Sequence, residues 1–154
     1  MSLNNLPQVI IAMVKVRRVS VVDVDLCVGC MMCVFACNRR FGNGGVAASA
    51  IKVMSIGGVE RGFRVIVCRA CTDPPCASVC PTRALQPRKG GGVILDFEKC
   101  VGCGNCVRAC PFGAISWDEE INKPIVCTYC GYCVRYCPYG VIKLEEVGVV
   151  EHAG

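Results

Sequence analysis

Histidine is nearly absent: the 154-residue chain has one, His152, close to its C-terminus. That scarcity argues against a zinc site of mixed cysteine and histidine ligands. The serines, aspartates and glutamates form no triad and no paired-carboxylate arrangement. Long apolar runs are missing too. Residues 6–14 are apolar, but Pro7 and Gln8 interrupt a stretch already far shorter than the ~20 residues of a membrane-spanning helix. No basic region precedes that stretch, no small-residue cleavage site follows it, and Arg17-Arg18 come after it rather than before. Neither a secretory signal, a twin-arginine signal nor a membrane span is expected, which makes the cytoplasm the expected location.

Cysteine is what the chain has in excess. Its 16 cysteines fall into four groups with none left over: Cys27, Cys30, Cys33, Cys37; Cys68, Cys71, Cys76, Cys80; Cys100, Cys103, Cys106, Cys110; and Cys127, Cys130, Cys133, Cys137. The first, third and fourth groups read C-x-x-C-x-x-C-x-x-x-C. The second has four residues, not two, between its second and third cysteines. Disulfides are disfavoured, because close triplets pair poorly and no export signal is present. Zinc is disfavoured because it usually takes two separated C-x-x-C pairs. The compact run is the ligand pattern of [4Fe–4S] clusters, in which three closely spaced thiolates reach three irons of one cubane and the fourth cysteine ligates a neighbouring cluster. Four such groups imply four [4Fe–4S] clusters. The formal charge of +5 therefore misleads: 16 thiolates holding four 2+ cores bring it to about −3. The basic residues are scattered rather than striped, so nucleic acid is not an expected partner.

The sequence around the groups repeats as well. Strand-like runs at 19–24, 63–67 and 93–97 lead into the first three groups. The last three groups run on into Pro81-Thr82-Arg83-Ala84-Leu85, Pro111-Phe112-Gly113-Ala114-Ile115 and Pro138-Tyr139-Gly140-Val141-Ile142, then into strands clearest at 115–117 and 141–144. Runs 50–56 and 63–67 flank Gly57-Gly58 and read as a hairpin. Residues 42–45 and 90–92 are glycine-rich loops. A short helix or turn is expected from the third to the fourth cysteine of a group, and no long amphipathic helix is expected anywhere.

From these motifs the chain, over residues 19–146, resembles the four-cluster ferredoxin-type subunits of molybdopterin and tungstopterin oxidoreductases. Asn38 in place of proline after Cys37, and Pro74-Pro75 in a longer second group, are usual there. The compact last group and short chain look most like the small subunit of tungsten-containing aldehyde oxidoreductases. The resemblance implies an α+β fold of two nested bacterial-ferredoxin-like halves, each with two clusters, plus an inserted β-hairpin. An N-terminal extension (1–18) would precede the four-cluster domain (19–146), whose outer half is 19–40 plus 123–146 and inner half 63–118, and a tail (147–154) would follow. It further implies four ligand sets: Cys27, Cys30, Cys33 and Cys137; Cys127, Cys130, Cys133 and Cys37; Cys68, Cys71, Cys76 and Cys110; and Cys100, Cys103, Cys106 and Cys80. Spacing alone leaves a tandem pairing open, with groups one and two together and three and four together. The 30 residues between Cys37 and Cys68 weigh against it.

With every cysteine a ligand, the chain has no open coordination site and is expected to be no enzyme itself. The implied role is single-electron relay to or from a larger pterin-dependent tungsten or molybdenum subunit, with a ferredoxin or flavin subunit as a further exchange partner. A free polyferredoxin, or a subunit of a hydrogenase or carbon monoxide dehydrogenase complex, is the alternative; a cluster-based sensor or nucleic-acid-repair module is disfavoured. Other residues have plainer roles. Arg69, Arg108 and Arg135 balance thiolate charge or face solvent; Tyr129, Tyr132, Tyr136 and Tyr139 shield the last group from water. Met31-Met32 pack against a cluster, Trp117 is a core residue, and Arg39-Arg40 have no assigned role.

Overall fold

The computed structural model describes residues 13–57 and 62–150. Most of the apolar run at 6–14, the second glycine of Gly57-Gly58, His152 and the last residues of the tail lie outside the described residues. Among the described residues, eight strands form four separate antiparallel ribbons: β1 (Met13–Val21) with β8 (Ile142–Val150), β2 (Lys52–Ser55) with β3 (Phe63–Ile66), β4 (Leu85–Pro87) with β5 (Val93–Leu95), and β6 (Ser116–Asp118) with β7 (Lys123–Ile125). Four helices separate them: α1 (Met32–Arg40), α2 (Pro75–Ser78), α3 (Asn105–Ala109) and α4 (Tyr132–Arg135). No helix among the described residues is long and apolar enough to cross a membrane.

Each helix begins one residue before the third cysteine of its group, so Cys33, Cys76, Cys106 and Cys133 all occupy the second helical position. Proline ends three of them. A residue before proline is pushed out of the helical region, and α2, α3 and α4 stop ahead of Cys80-Pro81, Cys110-Pro111 and Cys137-Pro138. Asn38 lifts that restriction, and α1 runs on to Arg40. Buried Asn38 then closes the following loop by donating from its side-chain amide to the Gly44 carbonyl at 2.7 Å. Pro75 stands in the first turn of α2, where its fixed φ suits a helix start. The longer second group thus opens its helix by proline, where the other three use a left-handed residue, Met31, Gly104 or Gly131.

The hairpin is present, with Ser55 opposite Phe63. The first strand is longer than its sequence suggests: β1 starts at Met13, pairs along its whole length with β8, and gives way at Val24 to a short 3₁₀ turn. The two strands thereby reach into 13–18 and 147–150, segments that the sequence sets outside the cysteine-bearing domain. Two of the buried clusters among the described residues hold most of the elements together. One gathers Val19, Val34, Ile51, Val67, Val141 and Ile142 with Cys133, and the other gathers Leu85, Val93, Ile115 and Val126 with Cys76 and Cys106. Cysteines belong to both cores, so sulfur ligands and apolar packing share the same interior.

Isolated two-stranded ribbons and helices of four or five residues are marginal on their own. Ile142, 2% exposed at the start of β8, should therefore be costly to shorten. Ile142→Ala is expected to destabilise the folded protein by about 2–5 kcal/mol, seen as a lower midpoint in anaerobic thermal melts. A change within error of zero would contradict the packing described.

Candidate metal centre

All sixteen cysteines carry free thiols, and no pair lies in a disulfide. They gather into sets drawn from different groups. Cys27, Cys30 and Cys33 line one cavity together with Cys137, the last cysteine of the chain. Cys68, Cys71 and Cys76 line a second with Cys110, with Cys127 also on its border, and Cys100, Cys103 and Cys106 line a third with Cys80. Cys37 and Cys127 pack together against Ala48, Ala50 and Ile125. After burial, the strongest influence on Cys133 is the thiol of Cys37, followed by Cys127, Cys130 and Cys33. Among the described residues, no three such side chains converge on a point that one metal ion could fill. The sulfurs stand back around a cavity, an arrangement suited to a polynuclear centre rather than to a single zinc ion.

Repeated backbone geometry shapes these sites. The residue before the second cysteine of each group is left-handed: Gly29, Ala70, Gly102 and Tyr129. Left-handed residues recur after the proline turns, at Arg83, Gly113 and Gly140. Successive peptide N–H groups in such turns point to one side and form a concavity that favours anions. Sulfur atoms receive several of them. Ala50 N–H reaches Cys37, Leu85 N–H reaches Cys80, Ala114 N–H reaches Cys110 and Tyr129 N–H reaches Cys127, each at 3.4 Å. At Gly102 the choice of residue is steric as well, since a Cβ would lie 2.7 Å from the Asn122 carbonyl oxygen.

Electrostatics inside the sites are unfavourable to bare thiolates. Burial first, then neighbouring thiols, pushes Cys133 up to about 12. Cys127 also rises to about 12, through burial and the thiols of Cys68, Cys37 and Cys130, against a lowering hydrogen bond from Tyr129. Cys33 and Cys76 rise to about 11, chiefly by burial and then by Cys137 and Cys110 respectively. Cys80 is the exception: burial acts to raise it, but hydrogen bonds involving Leu85, Thr82 and Ala84 together outweigh that and lower it. Ionising such a set requires positive charge at its centre, which iron provides.

The other residues singled out by sequence divide. Tyr129 is buried at 2% exposure, whereas Tyr136 and Tyr139 are exposed, Tyr139 at the border of the cavity that holds Cys137. Tyr132 stacks against Tyr136 with ring centroids 5.2 Å apart. Met31 packs against the core that holds Cys27 and Cys33, whereas Met32 faces solvent. Trp117 is half-buried beside Cys80 and Cys100 rather than sealed in a core. Arg69, Arg108 and Arg135 are exposed, Arg69 with its guanidinium 5.3 Å from the ring centre of Phe112. Sequence reading missed a cavity of about 420 Å³ between the β4–β5 and β6–β7 ribbons, bordered by Phe41, Phe97, Ile121 and Tyr129, with Arg88 and Asp118 as its charged residues. Only the side alternation of strands three residues long could have signalled it, and so short a pattern carries no information.

Comparison with known proteins agrees with the geometry. Residues 93–116 and 124–143 match a 4Fe-4S binding domain family, and residues 24–41 match a second family of the same description. The chain is 35% identical over 108 residues to a selenate reductase subunit of Mesobacillus selenatarsenatis, which aligns 68% of this chain with 37% of that protein. It is 35% identical over 102 residues to the iron-sulfur subunit of the arsenate respiratory reductase of Shewanella sp., covering 64% of this chain and 44% of that protein. To the electron transport protein HydN of Escherichia coli it is 34% identical over 116 residues, covering 71% of this chain and 63% of HydN. The chain therefore spans between about a third and two thirds of the length of these relatives. Its fold is similar to a solved structure of the active site complex BamBC of benzoyl coenzyme A reductase with benzoyl-CoA, at TM-score 0.53 and 19% identity, over 90% of this chain and 83% of that one. The chain is a small mixed α/β protein of ferredoxin type that binds several [4Fe–4S] clusters, and its sixteen cysteines are enough for four.

Proposed function

We propose that this chain relays single electrons through four [4Fe–4S] clusters to or from a larger catalytic oxidoreductase subunit. The observation that supports the reading is the distribution of thiols: all sixteen cysteines fall in four sequence groups with none left over, and three cavities are each lined by cysteines of more than one group. The proposed ligand sets are Cys27, Cys30, Cys33, Cys137; Cys127, Cys130, Cys133, Cys37; Cys68, Cys71, Cys76, Cys110; and Cys100, Cys103, Cys106, Cys80. The first two make an outer half (19–40 plus 123–146), and the other two an inner half (63–118). Each cluster, when bound, takes up and gives back one electron.

The residues between sets suggest an order. Cys33 of the first set acts on Cys133 of the next, and Cys68 acts on Cys127. Cys76 and Cys106 share one buried core with Cys80 and Cys110. The series would then run from the first group through the fourth and second to the third. Cys30 and Cys103 are the two cysteines exposed to solvent, and they belong to the sets at opposite ends of that series. Exposed apolar side chains lie near both, Val28 and Met32 in the group of Cys30 and Val101 beside Cys103. Such surface suits contact with partner proteins.

The similarity to subunits of two reductases supports a dedicated subunit, and the compact last cysteine group favours a tungsten or molybdenum pterin aldehyde oxidoreductase as its partner. A ferredoxin or flavin subunit would exchange electrons at the far end. Sixteen thiols kept reduced during cluster assembly favour the cytoplasm. A second reading, a free polyferredoxin serving several enzymes, draws on the similarity to an electron transport protein. Size-exclusion chromatography of native extract separates the two: a large complex is expected, and elution at the monomer's 16.5 kDa sinks the subunit reading.

Anaerobically purified protein should contain about sixteen irons and as much sulfide per chain; zinc, or far less iron after reconstitution, would overturn the proposal. Cys37→Ala should remove or convert the cluster of the fourth group and leave that of the second intact, followed by EPR of the reduced protein. Loss at the second group instead would establish tandem pairing. Stripping the iron should abolish far-UV dichroism and the cooperative melt. An apoprotein that keeps native dichroism would contradict this.

A further inference from the structure

Tyr129 sits where the other groups have Gly29, Ala70 and Gly102, and it adopts the same left-handed backbone, φ 55°. A bulky side chain in that region is strained by of order 1–3 kcal/mol. Small residues meet the backbone requirement elsewhere in this chain, so the ring itself needs a reason. Its surroundings provide one. The backbone N–H of Tyr129 donates to Cys127 Sγ at 3.4 Å, while its hydroxyl lies 3.3 Å from Cys68 Sγ. One residue thus touches sulfurs of two different thiol sets.

The direction of the hydroxyl bond follows from its second partner. Val93 N–H donates to the Tyr129 oxygen at 3.0 Å. The oxygen's single proton is then free to point at Cys68, and a metal-bound thiolate can only accept. The ring is held from several sides. The Arg88 guanidinium lies 3.8 Å from its centre, and is fixed there by bonds of 2.8 Å from Nε to the Gly91 carbonyl and from Nη2 to the Arg17 carbonyl. A cation on the ring face draws electron density from the phenol and makes it a stronger donor. Gly92 leaves the space: a Cβ there would fall 2.2 Å from the Tyr129 hydroxyl oxygen. The Gly92 N–H in turn bonds the Cys71 carbonyl at 2.9 Å, tying this loop to the second group.

We propose that Tyr129 is a positioning residue that raises the reduction potential of the cluster held by Cys68, Cys71, Cys76 and Cys110 above the value its other surroundings would give. It also fixes the contact between that cluster and the one held by Cys127. A hydrogen bond to a ligand sulfur stabilises the more negative, reduced cluster, so the donor raises its potential. The inference rests on the ligand sets proposed above.

EPR-monitored redox titration of the holoprotein tests it. Tyr129→Phe keeps the ring and removes the proton: one midpoint should move to lower potential, with the other three unmoved and iron content unchanged. Cys68→Ser identifies the signal, which must be the one that shifted. Arg88→Gln, with Tyr129 intact, should move the same midpoint by a smaller amount in the same direction, and it serves if Tyr129→Phe fails to load iron. In the Phe variant the iron–cysteine stretch of that cluster should also shift in the resonance Raman spectrum, a change that mere loosening of the fold would not confine to one cluster. Full iron with no midpoint displaced, all four displaced together, or a shift in a cluster untouched by Cys68→Ser overturns the tyrosine's role alone. Wild-type protein with far fewer than about sixteen irons per chain overturns the ligand sets as well.

Discussion

Burial of many cysteine sulfurs close together in a small interior is the constraint to which the rest of the structure answers. Burial raises the thiols and their neighbours raise them further, so Cys127 and Cys133 stand near 12. Such a core is self-consistent only around positive charge. The chain invests little in conventional structure: four two-stranded ribbons, one nine-residue helix and three shorter ones. Left-handed turns, N–H bonds to sulfur and the two mixed cores of sulfur and aliphatic side chains serve the thiol sets first. Ligation and folding are one process in a protein built this way.

Several cationic side chains act as staples instead of surface charge. Lys52 donates to the Gly113 carbonyl at 2.7 Å and the Ile115 carbonyl at 3.3 Å, joining the hairpin to the turn after the third group. Lys123 donates to the carbonyls of Phe97 and Cys100. Arg88 spans from its own loop to β1. Each of these cations keeps its charge but is held in place by backbone carbonyls, so basic residues are spread among the loops, in keeping with the lack of a basic stripe in the sequence.

Much of the site was legible because its signal is local. Cysteine spacing fixes loop length, and proline after the fourth cysteine ends the helix, so short helices from the third cysteine onward follow directly. The hairpin over 50–66 was readable from alternation and glycine. Long-range features were not. Nothing in residues 13–18 marks them as partners of residues 145–150, since antiparallel register is decided by packing across the whole chain. Tyr129 was misjudged as one of four equivalent tyrosines. Its left-handed backbone, and the space opened by Gly92, come from elements about forty residues apart in sequence, and composition is blind to that. Tyr136 and Tyr139, which read alike in sequence, ended on the surface.

In the β1–β8 ribbon Met13 lies opposite Val150. The strands on either side of the sixteen cysteines are therefore zipped together over nine residues, so one ribbon ties the approach to the first cysteine group to the exit from the last. Ile142, at the inner end of that ribbon, lines the cavity shared by Cys27 and Cys137. A slip of register between the two strands would be felt directly at those sulfurs.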